Sequence, residues 1–180
     1  MTARIPPGRL KELGPVNWLL WRIISLGVGA PDAHLFRTMG RTKGLFRAWL
    51  RYSSKLMPGG RIPRQETELV ILRVAHLREC QYEMDHHVRI GRRAGVTPTL
   101  LEQVLEGPES AGWDPRPRAI LTAVDQLVTT KNLDDATWSA LTGYFDDRQM
   151  IEFCVLVTQY DALATTIGTL RIECDFTDPR

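Results

Sequence analysis

Cysteine is scarce in this chain. Cys80, Cys154 and Cys174 are odd in number and widely spaced, and no Cys-x-x-Cys pair occurs. That excludes a disulfide-stapled framework and makes a reducing cytoplasm the expected compartment. Runs that alternate apolar and polar residues over a strand's length are lacking, as are the Asn-Gly and Asp-Gly dipeptides of tight hairpins. A β-sheet is therefore not expected. No apolar run is long enough to span a bilayer: "WLLWRIISLGVGA" (18–30) is short and is interrupted by Arg22. It reads as a buried or interfacial helix rather than a signal peptide, and no membrane partner is expected. Low-complexity segments and fixed-period repeats are also missing, which excludes a solenoid.

What is present fits one domain with a real core, or a core plus an arm. The chain has 180 residues, 43% hydrophobic and 24% charged, ordinary for a globular protein. The net charge of +2 is unevenly spread. Residues 1–64 carry twelve Lys and Arg against only Glu12 and Asp32, a balance of +10, whereas residues 65–180 carry eleven against nineteen acids, a balance of −8. A basic arm suggests nucleic acid, but no nucleic-acid motif accompanies the charge. The reading preferred here packs the basic segment on the acidic one, within a subunit or across a subunit interface, with no nucleic-acid partner.

The whole chain reads as helical. Helices are expected near 16–27, 33–39 and 43–56, before the Pro/Gly break "MPGGRIPR" (57–64). "RQETELVILRVAHLRE" (64–79) is apolar almost all round, as a central helix is. The segment 80–94 follows, ended by Gly95 as a C-cap. Thr97 with Pro98, and Asp114 with Pro115, carry the cap-plus-proline signature of helix starts. Asp134 starts another helix, and Asp146 with Gln149 forms a capping box for a long helix over 147–170.

Chemistry concentrates in "ECQYEMDHHVRIGRRAG" (79–95). On a helix Cys80, Glu83 and His87 fall within about 60° of one another, on a stripe continued by Ile90, Gly91 and Ala94, the kind of face that turns inward. Glu68 lies in the apolar helix before it. A buried carboxylate requires a partner, supplied by this stripe; the alternatives are an ion pair with Arg73 or a surface position. A buried imidazole beside carboxylates is a general acid/base near neutral pH, and a thiol at a helix N-terminus can be held as thiolate. "EMDH" (83–86) has the Glu-x-x-His spacing of di-iron helices, but a second copy is lacking. His86 and His87 point about 100° apart, so neither a metal nor another cofactor is expected.

"ETELVILRVAHLRECQYEMDHHVRIGRRAGVT" (66–97) resembles the carboxymuconolactone decarboxylase superfamily, which includes the alkylhydroperoxidase D-like proteins. The resemblance extends through "GWDPRPRAILTAVDQL", "DATWSAL" and "IEFCVLVTQYDALATT", covering roughly residues 45–170. It implies an all-α, alkylhydroperoxidase D-like helical bundle over 45–180 with a basic helical arm over 1–44. It also implies a homo-oligomer, trimeric or hexameric. The peroxidase branch of the family carries Cys-x-x-Cys-x-x-x-His, with a glutamate twelve residues before the first cysteine. Here Cys80-x-x-Glu83-x-x-x-His87 follows Glu68 at that distance. By resemblance Glu68 and His87 match the proton-relay residues and Cys80 the first redox cysteine. Position 83 departs, with glutamate in place of the second thiol.

Glu83 cannot close a disulfide, so peroxide reduction would run through a one-cysteine sulfenic acid on Cys80. A second carboxylate near His87 suits proton transfer instead. The leading expectation is a carboxymuconolactone decarboxylase-like enzyme using Glu68, Glu83 and His87 for decarboxylation or proton transfer on a small carboxylic or lactone substrate. Arg73 or Arg78 is expected to hold the substrate's anionic charge, and Tyr82, Gln159 and Tyr160 to line the pocket. The alternatives are a thiol-dependent, peroxiredoxin-type peroxidase centred on Cys80, and a non-catalytic oligomeric binding protein.

Overall fold

The computed structural model describes residues 2–176. Its nine helices among the described residues are α1 (Leu10–Val28), α2 (His34–Gly40), α3 (Gly44–Leu56), α4 (Arg64–Leu77), α5 (Gln81–Arg93), α6 (Pro98–Glu106), α7 (Pro115–Thr130), α8 (Asp135–Thr142) and α9 (Asp147–Leu170). No strand occurs among those residues, and the fold is the all-α bundle expected.

The centre is α4. Val70, Ile71, Leu72 and Val74 are completely buried, which explains why this helix is apolar on nearly every side. On one side it meets Ile120 and Val124 of α7 and Phe153 and Val157 of α9, forming the largest apolar cluster. On another, Leu69 and Leu72 pack against Val96, Val104 and Leu121. The long helix α9 is apolar enough by composition to cross a bilayer, but Phe153, Leu156 and Val157 are spent on this core.

Most helix starts follow their cap chemistry. Thr97 accepts from the Leu100 amide, Asp134 from that of Thr137, and Asp146 from that of Gln149, whose side chain returns the bond to Asp146. Asp114 holds the cap position of α7 but makes no cap bond; Pro115 alone marks that start. Ala94 caps α5, and Gly95 follows it at φ 90°. The first helix begins at Leu10, earlier than the expected 16, but it is kinked at Gly14, and Pro15 opens its straight part. Between α4 and α5 the chain breaks at Glu79, whose φ is 50°. Cys80 consequently becomes the N-cap of α5.

Polar staples fix the arm. Asn17, fully buried, donates to the Gly40 carbonyl at 2.8 Å and accepts from Arg47 at 3.1 Å, tying α1 to α2 and α3. Glu152 of α9 accepts from the Arg61 and Ile62 amides and holds the break before α4. Through these ties α1 and α3 come to cover one side of α5 and α9, and the space left beneath them is the site.

Candidate active site

Glu68 and His87 meet because α4 and α5 pack closely where Gly91 faces Glu68. A Cβ at position 91 would lie 3.2 Å from a Val96 methyl and 3.6 Å from the Glu68 Cβ. One turn earlier, His87 Nδ1 stands 2.8 Å from Glu68 Oε2. Glu68 has no exposed surface. Its other oxygen lies 2.5 Å from Arg64 Nη2, an ion pair one helical turn back. The bond assigns the imidazole's tautomer: Nδ1–H donates to the carboxylate, leaving Nε2 as an acceptor. The His87 ring also meets the Tyr160 ring edge-on, centroids 5.2 Å apart.

Glu83 lies one turn before His87 on α5. It is 2% exposed, and neither carboxylate oxygen has a hydrogen-bond partner. Burial pushes its pKa up to about 8; the nearby Cys80 thiol offsets part of this, and the charge of Asp161 adds to it. At neutral pH Glu83 is therefore predominantly a protonated acid.

Glu83 and His87 open into a cavity of about 210 Å³ between the arm and the bundle. Ile24 and Val28 of α1, Phe36 of α2, Trp49 and Leu50 of α3, and Leu163 of α9 supply its apolar wall. Tyr82, Gln159 and Tyr160 lie on it, joined by His86, Ser53 and Ser54. Among the described residues, no lysine or arginine lines it. Glu68 stands behind His87, off the wall.

Two expectations are corrected. Arg73 does not reach the cavity. Its guanidinium is bidentate to Asp125 at 2.6 and 2.7 Å and donates to the Val104 and Leu105 carbonyls. Gly107, at φ 103°, makes room for it, since a Cβ there would sit 2.6 Å from Arg73 Nη2. Arg73 is thus a tie between α4, α6 and α7. Arg73→Met is expected to destabilise the fold by about 3 kcal/mol, because two carbonyls and a carboxylate lose their partner; urea unfolding checks it. Arg78 is likewise engaged, with Asp161 and Thr165, and does not line the cavity. The second correction concerns Cys80. It is buried beside Glu83 but is not on the cavity wall. Burial, with the Glu83 carboxyl next in weight, pushes its thiol up to about 12, the reverse of a helix-terminus thiolate.

Sequence reasoning missed Arg64, although its i,i+4 spacing from Glu68 was visible. It also missed Ser53, whose buried Oγ lacks a partner, and nothing in an amphipathic helix signals such a role. A further cluster lies nearby. Asp175 accepts from the His34 amide and ring, the Tyr82 hydroxyl at 2.6 Å and His86 Nε2 at 2.9 Å. Burial alone would raise its pKa, but the bonds from His34, His86 and Tyr82 outweigh that and hold it at about 2. Because the folded pKa is depressed, its stabilisation is present above the unfolded value of 3.8 and is lost as pH falls through about 2. Asp175→Asn is expected to cost about 1–2 kcal/mol at neutral pH, with the gap to wild type closing at the acid end of a thermal-unfolding series.

A buried acid and a pinned imidazole thus stand on one apolar cavity of an all-α bundle. The model of the Carboxymuconolactone decarboxylase family matches residues 43–126, a span that holds Glu68, Cys80, Glu83 and His87. Over that span the chain is similar to the carboxymuconolactone decarboxylase family. No curated protein sequence matches. Among solved structures, an uncharacterised peroxidase-related protein of Ralstonia eutropha JMP134, an alkylhydroperoxidase AhpD core, is 21% identical; the alignment covers 96% of this chain and 92% of that one at a TM-score of 0.81. A peroxidase-related protein of Silicibacter sp. TM1040 gives 16%, 93%, 91% and 0.81 for the same quantities. The debrominase Bmp8, in a cysteine-to-alanine variant complexed with 2,3,4-tribromopyrrole, gives 18%, 100%, 95% and 0.82. At these identities the likeness is one of fold.

Proposed function

We propose that this protein is an enzyme that moves protons on a small, uncharged, largely apolar molecule held between the arm and the bundle. Glu83 is the proton donor and His87 Nε2 the acceptor; Glu68 and Arg64 orient and charge-balance the imidazole. The observation that carries this reading is Glu83: a carboxyl with both oxygens buried and unpartnered, on an apolar cavity wall, one turn from a histidine whose other nitrogen is already engaged. Such an acid is costly to the fold and suited to protonating carbon or oxygen at neutral pH. Ser53 Oγ is the spare hydrogen-bonding group that would orient the substrate. The cavity's lack of cations favours a neutral lactone or ring compound over a carboxylate, which narrows the class expected from sequence. Its size, below the roughly 300–1,000 Å³ of drug-sized sites, sets the same limit.

The test is substrate-independent in kind. Small lactones and activated ring compounds are incubated with protein in deuterated water, and carbon-bound deuterium is followed by NMR. Wild type and Cys80→Ser are expected to incorporate the label, and Glu83→Gln to lose it. Loss in Cys80→Ser with retention in Glu83→Gln would overturn the reading.

One observation favours a second reading, thiol chemistry at Cys80: its sulfur lies beside Glu83, whose carboxylate form can accept the thiol proton. On that reading a halogenated heteroaromatic, the ligand class in the Bmp8 complex, is the substrate to try, and Cys80→Ser is inactive.

A further inference from the structure

The positive charge of the first three helices is not neutralised within the subunit. Of the lysines and arginines in residues 1–56, only Lys11 and Arg37 make ion pairs among the described residues, with Glu12 and Asp32 of the same segment. No acid lies between Asp32 and Glu66. Large apolar side chains are exposed there too. On α1, Val16, Leu19, Ile23 and Leu26 are 56, 60, 57 and 77% exposed. They fall within about 80° of one another and form a ridge about 15 Å long. Exposed Arg22 borders one edge of it, about 40° from Leu26. Past the other edge, Leu20 shares a shallow groove with Gly44, Arg47, Leu50 and Arg51 of α3. Arg47 is held against α1 by Asn17 at 3.1 Å, and exposed Lys55 extends the cationic row one turn beyond Arg51.

An apolar helix face bordered on both sides by cations is the composition of a helix lying in an anionic lipid–water interface. A second copy of the chain fits it less well. Pairing ridge to ridge is self-complementary and would set the two arginine rows against each other. Beyond residue 52, the only large apolar side chains exposed among the described residues are Trp138, Tyr144 and Ile151, spread over α8, α9 and the turn between them. The inner faces of the same two helices, through Ile24, Val28, Trp49 and Leu50, line the cavity. A surface that holds the outside of α1 and α3 is therefore about one helix diameter, ~10 Å, from the cavity.

We propose that α1 and α3 attach the protein to the surface of anionic membranes. The α1 ridge enters the acyl boundary, and Arg47 and Arg51 pair with lipid phosphates. This is attachment and not a span. It departs from the expectation of no membrane partner, which rested on the lack of an apolar run long enough to cross a bilayer. The attachment goes beyond the proton-transfer reading and stands without it. With that reading, it places the cavity where a small apolar substrate dissolved in the bilayer is concentrated.

The experiment sediments the full-length protein with sucrose-loaded vesicles of phosphatidylcholine alone, or of equimolar phosphatidylcholine and phosphatidylglycerol. Binding to the anionic vesicles is expected, weakened by added salt, and much less to the zwitterionic ones. Arg51→Gln and Lys55→Gln each lower the partition about five-fold. Leu19→Ser with Ile23→Ser lowers it by more than about ten-fold, while circular dichroism shows both helices and core intact. No binding to anionic vesicles at low salt, or undiminished binding by the double serine variant, would overturn the proposal. So would a wild-type dimer in sedimentation velocity that the two serines dissociate, since the ridge would then belong to a second copy.

Discussion

Glu83→Gln is expected to make the protein markedly more stable than wild type at alkaline pH while abolishing the proposed proton transfer. The carboxyl titrates near 8 in the folded protein, against a reference value of 4.5. Below the lower value the folded and unfolded chains are both protonated, and Glu83 makes no difference to stability. Between the two values the unfolded chain ionises and the folded one keeps its proton, so stability drains away as pH rises. Above about 8 the loss is complete. The gap corresponds to about 5 kcal/mol, as an order of magnitude. Glutamine has nearly the same shape and cannot ionise, so this slope vanishes in the variant. Urea unfolding at about pH 4 and about pH 9 checks it: near-equal stabilities at the acid point and a gain of several kcal/mol for the variant at the alkaline one. Parallel curves would mean that Glu83 titrates normally. If the proposed proton transfer holds, turnover is expected to fall over the same range, since the donor form disappears as pH rises through about 8.

His87→Ala is expected to reduce deuterium incorporation by about 10²–10⁴-fold, the usual worth of a positioned acid or base. The fold survives this change better than loss of a core side chain would suggest, because Glu68 keeps Arg64 as a counter-ion. Glu68→Gln separates orientation from charge. Its amide oxygen still accepts from His87 Nδ1, but the negative charge that favours a developing imidazolium is gone, so its loss falls between wild type and His87→Ala. The residues act as one unit, and the double variant is therefore no worse than His87→Ala alone. An additive double variant would show that Glu68 acts on the substrate by another route.

Much of this was readable from the sequence, and the reasons differ by residue. Thr97, Asp134 and Asp146 declared their helices because capping is a local bond, complete within four residues. Glu68 and His87 were legible because an inward carboxylate demands a partner and the helical period says which face supplies it. Arg73 was misread because its partner, Asp125, is 52 residues away and neither periodicity nor composition reports a distant charge. Cys80 was placed on the reactive stripe because a helix drawn through 80–94 puts it there. The turn at Glu79 makes Cys80 a cap instead, and a residue just outside the helix does not keep the helix's angular register. The arm's share of the cavity was hidden for another reason. Ile24 and Trp49 look like ordinary apolar positions, and no pattern distinguishes packing against protein from facing a ligand.

Gly91 contains no chemistry, yet it sets the tolerance to which the chemistry is built. The bond between His87 and Glu68 spans two helices, and one turn away a hydrogen atom stands where a Cβ would meet a Val96 methyl at 3.2 Å and the Glu68 Cβ at 3.6 Å. A relative could keep the arginine, both glutamates and the histidine and still be silent if a residue larger than alanine at that position crowded Val96 and Glu68. In this architecture the spacer, as much as the polar set, separates a working copy from a merely similar one.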